Sequence, residues 1–299
     1  MMQRRDLLVA GLTAAPMPSR SQEPLLSRRV PSTGERLPAV GLGTWLTFDV
    51  PLGNAAAVAR RRDVVARFFA GGGRVIDSSP MYGRAEALLG ELLPRAEPRL
   101  FSATKVWTPF GAYGPTQMRR SLALWKLPRV DLMQVHNLLS WRAHLPTLRD
   151  WKAQGLARLI GFTTSHGRDL DLVRSVLVGE RGLDFMQITY NPVDRRAEPL
   201  LRLAADQGMA VIINRPFDGG HLLQRLSGVP LPPLAAELNC LHWATLVLKW
   251  ELANPAVTVA IPATTNPEHA EQNLAALRGL LPDARQRETI WLAMAPALG

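Results

Sequence analysis

The chain of 299 residues, 47% of them hydrophobic, is long enough to bury one large barrel-type core or two smaller ones, and its composition is that of a soluble globular protein. Its formal charge of +10 comes mostly from arginines scattered singly through helical segments without interleaved aromatics, which reads as solvated surface and not as a nucleic-acid interface. With Cys240 as its only cysteine, the chain excludes an intramolecular disulfide and a cysteine-based metal cluster.

The N-terminus, MMQRRDLLVAGLTAAPMP, sets Arg4 and Arg5 before an apolar run from Leu7 to Ala15. That run is short of the roughly 20 residues a bilayer span needs. The paired arginines and the small residues Thr13 and Ala15 resemble a twin-arginine export signal, which carries folded cargo across the bacterial inner membrane. A frayed basic terminus is the alternative. Residues 1–29 are accordingly assigned to a signal and linker, a membrane anchor only if retained, and residues 30–299 to one folded domain. The periplasm is the location implied, with the cytoplasm as alternative.

After the leader, VPSTGERLPAV reads as a short hairpin turning at Ser32-Thr33-Gly34. Eight short apolar, β-branched runs follow, at 39–45, 74–79, 100–106, 130–137, 158–164, 185–191, 210–217 and 257–264. Segments of helical spacing separate them, among them AAAVARRRDVVARFFAGGG, closed by its glycines, and LPTLRDWKAQG, ending at Gly155. Eight strands alternating with helices over about 250 residues predict a parallel (β/α)8 TIM barrel behind a short N-terminal β-hairpin. The competitor is a doubly wound open sheet, but GLGTWL lacks the third glycine of G-x-G-x-x-G and no P-loop lysine motif occurs.

In such a barrel the active site lies at the carboxyl ends of the strands. Asp77, Lys105 and His136 end the second, third and fourth strand runs, and Tyr82 follows in the loop after Asp77. Each has a plain structural reading: a helix cap, a core histidine, a packing tyrosine. Lys105 is one of only four lysines, and a buried ammonium without a partner is costly, so Asp77 on the neighbouring strand is its natural counter-ion. Held charged in this way, Lys105 is expected to lower the phenol pKa of Tyr82 from about 10. Tyr82 could then protonate a carbonyl oxygen as a hydride arrives at carbon, with His136 hydrogen-bonded to the same oxygen.

These residues, together with the hairpin, GLGTW, the D-x-x-x-x-Y of IDSSPMYG, TKV, HN, QITYN and IPATTNPEHAEQNL in that order, resemble the aldo-keto reductases from about Val30 to the last helix. The resemblance implies a metal-free barrel oxidoreductase that uses NADPH, less often NADH, to reduce aldehydes and ketones, with Asp77, Tyr82, Lys105 and His136 as its catalytic tetrad. It places cofactor contacts at Gly43, Thr44 and Trp45, at Thr163 and Thr164, at Gln187 for the nicotinamide carboxamide, and at Asn214, Arg215, Pro216 and Phe217. Further contacts are implied at Ala263, Thr264, Thr265, His269, Gln272 and Asn273, where a helix N-terminus would face phosphate and Asn273 the adenine.

Three departures from the family pattern matter. Thr163-Thr164 replaces a common Ser-Asn, and Asn214 stands where an aromatic often stacks on the nicotinamide, followed by Arg215, which would face the pyrophosphate. Ala263 and His269 replace the Lys and Arg that often pair with the 2′-phosphate, so NAD(H) is possible beside NADP(H). Trp45, Trp107, Phe110 and Trp141 are expected to wall an apolar pocket for a small carbonyl substrate, and the short stretch after the last helix predicts an open one. The expected partners are that substrate and the twin-arginine export machinery. A cofactor-sensing or partner-binding barrel with little turnover is the alternative function, and a Schiff-base lyase built on Lys105 a third.

Overall fold

The computed structural model describes residues 24–93 and 100–298, so residues 1–23 of the expected signal and linker (1–29) lie outside them. Two strands, β1 (Ser27–Arg29) and β2 (Arg36–Pro38), pair antiparallel as the expected hairpin. Its turn closes where expected, with the Val30 carbonyl accepting from Thr33 and Gly34 and with Gly34 at φ +76°. The first arm, however, precedes the expected boundary at Val30. Ser27-Arg28-Arg29 carries no apolar alternation, so its pairing with Leu37 and its neighbours, not its own pattern, makes it a strand.

Eight parallel strands follow: β3 (Leu42–Gly43), β4 (Val75–Asp77), β5 (Phe101–Val106), β6 (Val130–Val135), β7 (Ala157–Thr163), β8 (Phe185–Thr189), β9 (Ala210–Asn214) and β10 (Val259–Ala260). Each pairs with its sequence neighbour, and the last segment returns to the first: Gly41 N–H donates to the Ala260 carbonyl at 2.8 Å and Gly43 N–H to that of Pro262 at 3.0 Å. The sheet is therefore a closed cylinder, and the open-sheet alternative falls. Closure also explains Gly43, because a Cβ there would lie 2.7 Å from the Ile261 carbonyl oxygen.

The outer layer comprises α1 (Ala55–Ala70), α2 (Ala85–Leu92), α3 (Gly114–Trp125), α4 (Trp141–Ala153), α5 (Leu170–Gly179), α6 (Glu198–Asp206), α7 (His221–Arg225), α8 (Leu234–Glu237), α9 (Trp243–Leu252), α10 (Pro267–Leu274) and α11 (Ala284–Leu298). The first is capped by Asn54, whose Oδ1 accepts from Ala57 N–H. It buries Val64, Val65, Phe68 and Phe69 and stops at the three glycines. Helix α4 begins at Trp141, four residues before the apolar spacing marks it, and keeps Pro146 inside. The C-terminal WLAMAPAL belongs to α11, which runs to Leu298.

Two apolar cores result. The larger fills the space between barrel and helices. The smaller lies inside the cylinder, where Phe101, Leu132, Leu159, Phe185 and Ile212 meet Val30 and Leu37 of the hairpin. The hairpin thus plugs the amino end of the barrel. Glu35 fastens it there, paired with Arg74 at 2.9 Å and with Arg158 at 2.8 Å. With that end filled, the opposite rim is left for a site.

One buried group weakens the fold. Glu251 on α9 is fully buried, and both carboxyl oxygens lack a hydrogen-bond partner among the described residues. Burial pushes its pKa well above the usual carboxylate range. A raised acid costs nothing from this source below its unfolded pKa, whereas at higher pH folding must take up a proton. Glu251→Met is therefore expected to raise Tm by roughly 2–6 °C at pH 7, with a smaller gain at pH 5, as read by thermal melts at the two pH values.

Candidate active site

The carboxyl ends of β4, β5 and β6 place three polar groups at one rim. Lys105 Nζ meets Asp77 Oδ1 at 2.6 Å and donates also to the Ser78 carbonyl at 2.7 Å, with lysine and acid both essentially inaccessible. The other Asp77 oxygen accepts from Gln187 Nε2 at 3.0 Å and Gln134 Nε2 at 3.4 Å. Such a pair survives desolvation because its remaining lone pairs and protons are used. Thr44 closes the shell, donating to the Asp77 carbonyl at 2.9 Å.

Tyr82 stands over this pair, with Lys105 Nζ 5.1 Å from its ring centroid. Its ring meets that of His136 edge-on, centroids 5.7 Å apart. Burial pushes the phenol above its usual pKa, and the pull of Lys105 only partly offsets this because Asp77 acts in the opposite sense. This corrects the expectation of a lowered value: desolvation outweighs the ammonium. Burial also opposes the charge on Lys105, but Asp77 and then Tyr82 more than restore it, so the ammonium is held above its ordinary pKa. His136 is pushed down to about 2, first by burial and then by Lys105, and is neutral at any physiological pH. The arrangement is an acid-base centre: a protonated phenol, a fixed ammonium beneath it and a neutral imidazole beside it.

The tetrad opens into a cavity of about 610 Å³, within the range of ligand sites. Gly43, Thr44 and Trp45 line it, as do Thr163, Gln187, Asn214, Arg215, Pro216 and Phe217. Ala263 and Thr264 before α10, and His269, Gln272 and Asn273 within it, line the cavity as well, and Asn266 caps that helix by accepting from Glu268 N–H. Gln187 Nε2 gives one of its two protons to Asp77, leaving its second proton and Oε1 for another partner. Asn214 cannot replace a stacking aromatic, for its amide spans Thr189 Oγ1 at 2.6 Å and the Thr164 carbonyl at 2.9 Å. Arg215, at φ +51°, pairs with Asp218 at 2.8 Å and reaches to 5.9 Å from the Trp45 ring.

Several expected contacts are placed elsewhere. Thr164 is buried but outside the lining, its hydroxyl donating to the Arg168 carbonyl at 2.9 Å. Thr265 is likewise outside, and its carbonyl accepts from Arg60 at 3.1 Å. The aromatic wall is not formed as expected: only Trp45 lines the cavity. Trp107 is held toward α3 by both backbone groups, through Gln117. Phe110 points outward, 70% exposed, and Trp141 opens α4 beneath Arg142. The apolar lining comes instead from Leu46, Met81, Leu223, Ala244 and Ile261.

Sequence reasoning missed Asn137, Ser165, His166 and Arg168, which join the lining from the loops after β6 and β7. Their only signal was position: Asn137 within the HN motif, and Ser165, His166 and Arg168 just beyond the run 158–164. His166 packs edge-on to Trp45 across the cavity at 6.4 Å, its pKa lowered first by burial and then by Arg215 and Arg168. No cluster of potential metal ligands occurs among the described residues.

Residues 39–288 match the model of the Aldo/keto reductase family. The chain is 26% identical over 326 residues to an NADH-specific methylglyoxal reductase of Escherichia coli (strain K12), covering 89% of this chain and 97% of the relative. It is also 26% identical to a pyridoxal 4-dehydrogenase of Microbacterium luteolum, over 86% of this chain and 94% of that protein. Among solved structures it resembles the holo form of an aldo-keto reductase from Bacillus halodurans (TM-score 0.74, 19% identity, 90% of this chain and 96% of that one). A Klebsiella pneumoniae aldo/keto reductase in complex with NADP and acetate is similar (TM-score 0.72, 22% identity, 86% and 91%).

Proposed function

The chain belongs to the aldo/keto reductase family, and on that premise we propose that it reduces aldehydes or ketones to alcohols with NADP(H) or NAD(H) at the rim described above. The observation that carries this reading is the buried Lys105–Asp77 pair, 2.6 Å long, beneath Tyr82 at the inner end of a large cavity. The cavity residues suit such a cofactor. Gln187 would hold a carboxamide, Arg215 would meet the pyrophosphate, and Thr264 before α10 together with Gln272 and Asn273 in its last turn would meet the adenosine end. Ala263 and His269 offer no fixed cation there, so the proposal is that NADPH and NADH are both accepted.

When bound, the cofactor supplies a hydride to the carbonyl carbon. Tyr82 supplies the proton at the carbonyl oxygen; Lys105, kept charged by Asp77, stabilises the phenolate left behind. Neutral His136 can only donate or accept a hydrogen bond, so its part is to orient that oxygen. Similarity to relatives named for methylglyoxal and pyridoxal supports an aldehyde substrate. A panel of small aldehydes assayed by absorbance loss of the reduced cofactor tests the reading: turnover with at least one is expected. Cofactor binding without turnover of any would favour the sensing barrel instead.

Export is part of the same reading. Its support is Arg4-Arg5 before the Leu7–Ala15 run. A twin-arginine passenger would leave the cytoplasm folded, with cofactor already seated. Cell fractionation should find the chain in the periplasm and find it in the cytoplasm when Arg4 and Arg5 are both changed to Lys; no redistribution would remove this element.

A further inference from the structure

The imidazole of His136 is useful to a carbonyl only if its cavity-facing nitrogen carries the proton, and the residues around it decide which nitrogen does. Its Nδ1 lies 2.8 Å from Ser79 Oγ, and serine and histidine are both buried. Among the described residues Ser79 Oγ has one other hydrogen-bond partner, the Met81 N–H, which donates to it at 3.2 Å. That N–H occupies an oxygen lone pair and leaves the hydroxyl proton needing an acceptor. His136 Nδ1 is the acceptor in reach.

We propose that Ser79 is a positioning residue that fixes His136 as the Nε2–H tautomer by donating its hydroxyl proton to Nδ1, so that a hydrogen-bond donor faces the substrate oxygen. The opposite tautomer would leave the Ser79 hydroxyl proton buried without an acceptor, which is unfavourable. It would also turn a nitrogen lone pair toward the carbonyl oxygen, where the two would repel. The depressed pKa of His136, set first by burial and then by the Lys105 charge, keeps the ring neutral, so one of its two nitrogens stays without a proton. Ser79 also shapes the loop that delivers the phenol, because its carbonyl accepts from Tyr82 N–H at 2.9 Å. One residue thus links the proton donor to the group that orients its target.

The inference rests on the reductase reading, and the experiment separates the two. Protein labelled with ¹⁵N-histidine is examined by two-bond proton–nitrogen correlation, His136 being assigned by its loss in His136→Gln. The resting protein should show a proton on Nε2 and a bare, hydrogen-bonded Nδ1. In Ser79→Ala the tautomers should mix and kcat fall about tenfold, the worth of one well-placed hydrogen bond, while cofactor affinity holds. Ser79→Thr, which keeps the hydroxyl, should restore both tautomer and rate. A resting proton on Nδ1, a kcat within twofold in Ser79→Ala, or equal losses in Ala and Thr variants would overturn the proposal. Because the spectrum needs no turnover, failure of the reductase reading would appear separately, as absent cofactor binding in the unsubstituted protein.

Discussion

Tyr82→Phe is expected to lower kcat by roughly 10²- to 10⁴-fold, the range lost when a positioned general acid is removed. The reduced-cofactor affinity should stay within about twofold, since the lost group is a single hydroxyl aimed at substrate and not at the cofactor's polar ends. The ring remains, so its edge contact with His136 and its position over Lys105 are preserved. Steady-state rates with any accepted aldehyde, set beside a binding titration, check the result. Near-normal turnover in the variant would move the proton source to another group. The phenol's raised pKa in the cofactor-free site adds a directional point: Tyr82 is fully protonated at neutral pH and ready to give a proton.

Lys105→Met is expected to harm stability as well as activity. Removing the ammonium leaves the Asp77 carboxylate inaccessible and without a cation, with only two amide donors from Gln187 and Gln134 on its far oxygen. Breaking one side of a buried pair costs about 3–5 kcal/mol, so a marked fall in Tm should accompany loss of turnover. Adding Asp77→Asn removes the orphaned charge. The double variant should recover much of the lost Tm and none of the rate, which separates the structural worth of the pair from its chemistry. Recovery of both by the double variant would show that the ammonium has no chemical part. Thermal melts and steady-state rates on the two variants decide this.

The barrel was legible because its strands are buried on both faces and therefore read as mostly apolar runs, as at AVIIN and at FMQIT around Gln187. Helix ends were legible where chemistry marks them, as at the glycines after α1 and at Asn266 before α10. Patterns failed where tertiary pairing overrides local preference. Ser27-Arg28-Arg29 is a strand only because Leu37 and its neighbours pair with it, and α4 opens at Trp141 although its apolar spacing starts later. In the site, Asp77, Lys105 and His136 follow from the rule that chemistry sits at strand ends. Trp107 and Phe110 satisfy the same rule and still stay out of the cavity lining, because loop course depends on contacts such as those of Gln117 with the Trp107 backbone that no local pattern encodes. His166 and Arg168 were invisible for the same reason. The sense of the Tyr82 shift was misjudged because sequence reveals the neighbouring ammonium but not the depth of burial that outweighs it.

The most direct test of the central claim, that the cavity beside the tetrad is a nicotinamide-cofactor site, is a fluorescence titration of the purified protein with NADPH and, separately, NADH. Eight tryptophans give the signal, and Trp45 lines the cavity itself. The account predicts saturable quenching by both, largely lost in Trp45→Phe, with affinities within about tenfold of each other because Ala263 and His269 supply no fixed cation for a 2′-phosphate. Absence of saturable quenching by either cofactor, confirmed by calorimetry, would contradict it.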